Sequence, residues 1–314
     1  MLGGCITRGP LIAPDLPSAA RPSVELETTP FFPQTEFQCG PAALATVLAA
    51  SGVDVTPDAL TSQVYLPGRK GSLQIEMQAA PRRYGRIAYP LSRNLDAIVA
   101  ELNANRPVLV LHNYGLPFWP RWHYAVVVGY DAGKDNVVLR SGTTRRQVLS
   151  AKNFMRAWDN GGRWALVMLR PGELPVMASA STYLEAAAAF ERVASPADAR
   201  LAFDAAVKKW PEQSLGWIGR GTAHYRLGLL DEAARDYSAA LRLDPANAGA
   251  RNNLGMTLLD LGCPARAREE LDQIQVDSLT DPLRAAVLDT RQRLEASLVK
   301  APAAGSSACT AWAR

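Results

Sequence analysis

WIGRGTAHYRLGLLDEAARDYSAALRLDP, residues 217–245, decides the fold of the C-terminal half. Gly221 and Ala233 are small where two helices must touch, Tyr237 is large enough to fill the gap between them, and Pro245 ends the second helix. The pattern returns at a spacing of 34 residues. Ala187, Gly221 and Gly255 align, as do Ala199, Ala233 and Ala267, then Phe203, Tyr237 and Leu271; Pro211 matches Pro245, and Tyr183 and Trp217 share an aromatic position. Such a period marks helix pairs that bury their apolar faces only by stacking on their neighbours. Three units follow, at 180–213, 214–247 and 248–281, with a last helix near 282–298 to cover the open face. The tail APAAGSSACTAWAR, 299–314, is of low complexity and is expected to be disordered.

These units resemble the tetratricopeptide repeat, whose period is the same. The resemblance implies an all-α solenoid with a concave groove suited to an extended or helical peptide, hence a protein partner in the repeat groove.

Upstream the chain changes character. Residues 39–51, CGPAALATVLAAS, are apolar and read as a buried helix with Pro41 in its first turn and Gly52 at its end. Thr56 and Ser72 read as caps of two further short helices, and Asn94 caps NLDAIVAELNAN, whose Leu95, Ile98, Val99 and Leu102 share a face. Strand-like runs follow at 107–112, 123–130, 136–140, 146–150 and 163–169, with the turn DAGKD forming a hairpin between the second and third. Helices first and antiparallel strands after make an α+β domain over 30–175.

Within it, Cys39 opens a helix, where the dipole and free N–H groups favour a thiolate. His123 heads an apolar strand after the aromatic loop GLPFWPRW. An imidazole beside the thiol would complete an ion pair and later protonate a leaving amine. PFFPQTEFQCGPAALATVL and WHYAVVVGYD resemble the Cys and His motifs of the bacteriocin-processing peptidase family, papain-like proteases that cleave leader peptides; the likeness covers about 30–170. It implies Cys39 as nucleophile, His123 as base and Gln34 as oxyanion donor together with the Cys39 N–H. The family's Gln commonly lies six residues before the Cys; here the distance is five. Where the family has an Asp or Asn to orient the His, the strand NVVLRSGTT places Ser141, which can accept the imidazole N–H but carries no charge. Asp131 and Asp135 lie in the turn and read as solvated. The resemblance implies a cysteine peptidase acting on a peptide or protein; a binding protein on a degenerate peptidase fold, or an acyl transferase using the same thiol, stays open.

The other motifs read more plainly. His112, mid-strand, is structural; His224 is packing or groove lining; Cys263, in a turn, has nothing to activate it. Three His and four Cys without CxxC or HxxxH spacing exclude a structural zinc site, no cofactor is implied, and the cysteines form no disulfide framework. A net charge of +4 with no long basic run gives no reason for a nucleic-acid partner. Leu2-Gly3-Gly4-Cys5 resembles a lipobox, which implies a lipid anchor at Cys5. A signal segment upstream would place the protein, anchored, at a bacterial cell envelope facing the periplasm; otherwise it is cytoplasmic with a short leader. Residues 1–29, with Pro10, Pro14, Pro17 and Pro22, suit a flexible tether.

Overall fold

A computed structural model describes residues 11, 22–34, 38–116, 118–300 and 309, so Cys5 and most of the segments read as tether and tail lie outside the described residues. The chain divides into two compact units, Met1–Thr182 and Tyr183–Arg314.

The first unit is α+β. Helix α1 (Cys39–Ala50) is apolar on every side, and Gly40 through Leu48 are all buried, because a helix without a polar face has none to give to water. Helix α2 (Pro57–Val64) begins at Thr56, whose hydroxyl accepts the Ala59 N–H. Strands β2 (Tyr65–Leu66) and β3 (Gly71–Ser72) form a small hairpin before α3 (Gln74–Ala79). Ser72 is therefore not a helix cap: it pairs with Tyr65 in that hairpin, and Leu73 precedes α3. Helix α4 (Leu95–Asn103) is capped by Asn94 as its sequence indicates.

The sheet is antiparallel and runs in the order β4 (Ile87–Pro90), β9 (Ala165–Leu169), β5 (Val108–Asn113), β6 (Trp122–Asp131), β7 (Asn136–Ser141), β8 (Thr144–Ser150). Every residue of β5 and β9 is buried, which is why these strands read as unbroken apolar runs rather than alternating ones. Two features depart from the sequence reading. Helix α5 (Ala151–Asn160) interrupts the run of strands; Ser150 caps it, and Ala151, Phe154, Ala157 and Trp158 bury one stripe. The other departure is β1 (Ser23–Glu25), which pairs with the end of β6, so the segment from residue 22 to 29 is packed structure rather than tether. The buried Arg140 guanidinium fixes it by donating to the carbonyl oxygens of Glu27 at 3.1 Å and Leu26 at 3.4 Å.

The second unit contains only helices among its described residues: α6 (Ala180–Glu191), α7 (Pro196–Lys209), α8 (Ser214–Arg226), α9 (Leu230–Leu243), α10 (Ala248–Asp260), α11 (Pro264–Asp272) and α12 (Asp281–Lys300), with one short 3₁₀ turn at Val276–Ser278. The repeat positions explain the packing. A Cβ on Gly221 would lie 2.9 Å from the Tyr237 ring, and one on Gly255 would lie 2.8 Å from Leu271, so each glycine makes room for the large side chain sixteen positions on. Trp217 Nε1 donates to the Pro211 carbonyl at 2.8 Å, and one repeat later Arg251 donates to the Pro245 carbonyl at 2.7 Å. A different residue thus closes the same turn. The cysteine reading needs correction: Cys263 and Cys309 form a disulfide, joining the turn before α11 to the tail across 46 residues.

Candidate active site

The site is assembled by α1, the β5–β6 hairpin, the β7–β8 turn and the segment that precedes α1. Cys39 is the first residue of α1, and the backbone N–H groups of Tyr124, Gly40 and Cys39 itself reach its sulfur. His123 is the second residue of β6, directly opposite His112 on β5. Cys39, His123 and Gln34 line one cavity of about 850 Å³. Ser141 ends β7 at a tight turn in which Gly142 has φ +61°, and its Oγ lies 2.9 Å from His123 Nε2. The same turn holds Gln34, whose N–H donates to the Gly142 carbonyl at 3.2 Å. One turn thus positions both residues, although 107 positions separate them in the sequence (141 − 34).

Among the described residues, the hydrogen-bond partner of the imidazole Nε2 is Ser141 Oγ and not a carboxylate. Asp131 lies eight residues along β6 from His123, roughly 26 Å at about 3.3 Å per residue. It accepts the Lys134 N–H at 3.1 Å and pairs with that lysine's ammonium at 3.3 Å in the exposed turn.

The electrostatics differ from the sequence reading. Burial pushes the Cys39 thiol up, and the three backbone N–H groups only partly offset it. Burial also lowers His123. Both shifts favour a neutral thiol and a neutral imidazole in the shared cavity, not a standing ion pair. The helix start alone does not overcome the loss of hydration.

Three neighbours escaped the sequence reading. Tyr114 places its ring 6.0 Å from that of His123 and its hydroxyl 2.8 Å from His112 Nδ1. Ser72 Oγ packs against Gly40, where an added Cβ would come within 2.2 Å of it. Arg140 holds the segment that follows β1. Ser72 and Arg140 act through contacts between segments distant in sequence, and Tyr114 acts within the β5–β6 hairpin; none has a motif to announce it.

Residues 26–165 match the Peptidase_C39 like family, and residues 184–247 and 218–279 match the tetratricopeptide repeat. The chain is a Peptidase_C39-like domain followed by tetratricopeptide repeats. Among solved structures it is similar to a C39-like peptidase from Bacillus anthracis at 17% identity and TM-score 0.40, covering 47% of this chain and 98% of that one. It is also similar to the TPR2B domain of yeast Sti1, solved as a complex with pHsp70, at 19% identity and TM-score 0.35, covering 39% and 98%. A third is the Sgt2 TPR domain from Aspergillus fumigatus, at 18% and 0.34, covering 40% and 87%. No curated protein matches the chain.

His112, the other histidine near the Peptidase_C39-like site, is fully buried, and burial together with His123 lowers its pKa to about 3. It is a neutral partner for Tyr114. In the repeats, His224 Nδ1 lies 2.9 Å from the buried Asp236, which also takes two hydrogen bonds from Arg220 at 2.6 and 3.0 Å. His224 is part of the packing between α8 and α9.

Proposed function

We propose that the Peptidase_C39-like domain cleaves a peptide bond with Cys39 as nucleophile and His123 as base. The observation that carries this is the single cavity shared by Cys39 and His123, with His123 Nε2 tied to Ser141 Oγ. Holding Nε2–H on the hydroxyl leaves Nδ1 to take the thiol proton as the sulfur attacks the carbonyl carbon. The Gln34 amide and the Cys39 N–H donate to the oxyanion. His123 then passes its proton to the leaving amine, and water resolves the thioester. Because both groups rest neutral, proton transfer accompanies attack instead of preceding it.

The repeats recruit the peptide or protein substrate through their groove. The envelope location rests on Leu2-Gly3-Gly4-Cys5, with Cys5 as the lipid-bearing residue, and on the Cys263–Cys309 disulfide, since such bonds persist in oxidising compartments. A second reading, a binding protein on a peptidase fold, is favoured by the raised thiol and by a hydroxyl rather than a carboxylate on His123 Nε2. Incubating the full chain with a randomised decapeptide library and sequencing the products by mass spectrometry separates the two. Products from the wild type, absent with Cys39→Ala and His123→Ala, support the peptidase; an untouched library rejects it in favour of binding.

A further inference from the structure

The cavity holding Cys39 and His123 is electrostatically one-sided. Arg69 and Lys70 stand in the turn between β2 and β3, Arg121 on the returning arm of the β5–β6 hairpin, and all three line the cavity. Among the described residues, no Asp or Glu lines it. Arg69 and Arg121 are exposed, and their guanidinium groups make no hydrogen bond or ion pair among the described residues. In the same wall, the buried Ser72 hydroxyl has no partner. The Arg69 and Arg121 guanidinium groups face no carboxylate among the described residues, and a ligand carboxylate is the group that pairs with them best.

Resting on the peptidase reading, we infer that this site selects peptides with acidic residues close to the scissile bond. The two cationic walls come from segments about 50 residues apart in sequence (121 − 69 = 52) and converge only at the reacting pair. Trp122, 55% exposed and also lining the cavity, adds an apolar surface for the backbone of the same peptide. The sign of the field disfavours Lys and Arg at these positions, and so gives specificity through repulsion as well as attraction.

The library products decide it. Asp and Glu enriched within about three residues of the cut, with the preference lost or reversed in the Arg69→Glu/Arg121→Glu variant, support the inference; both residues are exposed, so this variant keeps its fold. Products without acidic enrichment overturn it and leave the peptidase reading intact. If the wild type cleaves nothing, the peptidase reading fails by itself. Fluorescence anisotropy on the full-length Cys39→Ala protein then decides the inference, comparing a fluorescein-labelled decapeptide containing Asp and Glu with its Asn and Gln counterpart. Tighter binding of the acidic peptide by about tenfold or more, abolished by the double charge reversal, supports the inference. Equal binding of the two overturns it.

Discussion

Cys39 sits where burial and hydrogen bonding oppose each other, and burial wins. The thiol is therefore protonated at neutral pH, and its reaction with iodoacetamide should gain about tenfold per pH unit until it levels off above pH 9, the usual thiol value. A plateau at mildly acidic pH would reveal an ion pair and contradict this. His123 shifts the other way, so the base stays neutral below pH 6.5 and the acid limb of kcat/KM should fall below that value. Ser141→Asp would place a carboxylate on Nε2 and should move that limb upward; an unmoved limb would show that Ser141 does not face the ring in solution. His112 makes a stability prediction. Its folded pKa of about 3 lies below its unfolded value of 6.5, so the unfolded chain binds more protons between these two values. Stability should fall as pH drops from 6.5 toward 3, by several kcal/mol in all. His112→Phe should flatten that dependence in urea titrations at several pH values. The helix that Cys39 opens and the strand that carries His123 were legible from local pattern. Arg140 was not, because its role depends on which distant carbonyls the fold brings to it, and Tyr114 was not, because its contacts depend on the register of the β5–β6 hairpin.

At the scale of elements, the contact between α8 and α9 rests on small residues. Ala233 is fully buried there, and Gly221 has no room for a Cβ beside Tyr237. Ala233→Leu should overpack the contact and cost about 1–3 kcal/mol. Thermal unfolding measures it, and an unchanged Tm would mean that the contact is looser than these distances. The repeat was legible because its size alternation recurs three times. Helix α5 was not, although Ala151, Phe154, Ala157 and Trp158 recur at helical spacing, because it lies between two strand-like runs that read as neighbours. Strand β1 was hidden for a different reason. Three residues among prolines carry no pattern, and only pairing with β6 and the Arg140 hydrogen bonds make them a strand.

For the molecule as a whole, the disulfide is the feature with the widest consequence. Cys263 is buried at the turn before α11 and Cys309 lies in a tail that reads as structureless, so spacing alone gave no cue to the bond. Closing a 46-residue loop restricts the unfolded chain by about 2–4 kcal/mol. Reduction with dithiothreitol, or Cys263→Ser, should lower the stability of the repeat unit by that amount. Equal stability of the oxidised and reduced forms would remove the disulfide as support for an oxidising compartment. The joint reading, a thiol site in one unit and a repeat groove in the other, depends in turn on whether Cys39 and His123 act together. A peptidyl vinyl sulfone followed by intact-mass and peptide-mass analysis of the full chain measures this directly. The account predicts one adduct at Cys39 in the wild type, none with Cys39→Ala, and formation slowed about a hundredfold or more with His123→Ala. An adduct that forms at the same rate without His123, or no adduct at Cys39, would contradict it.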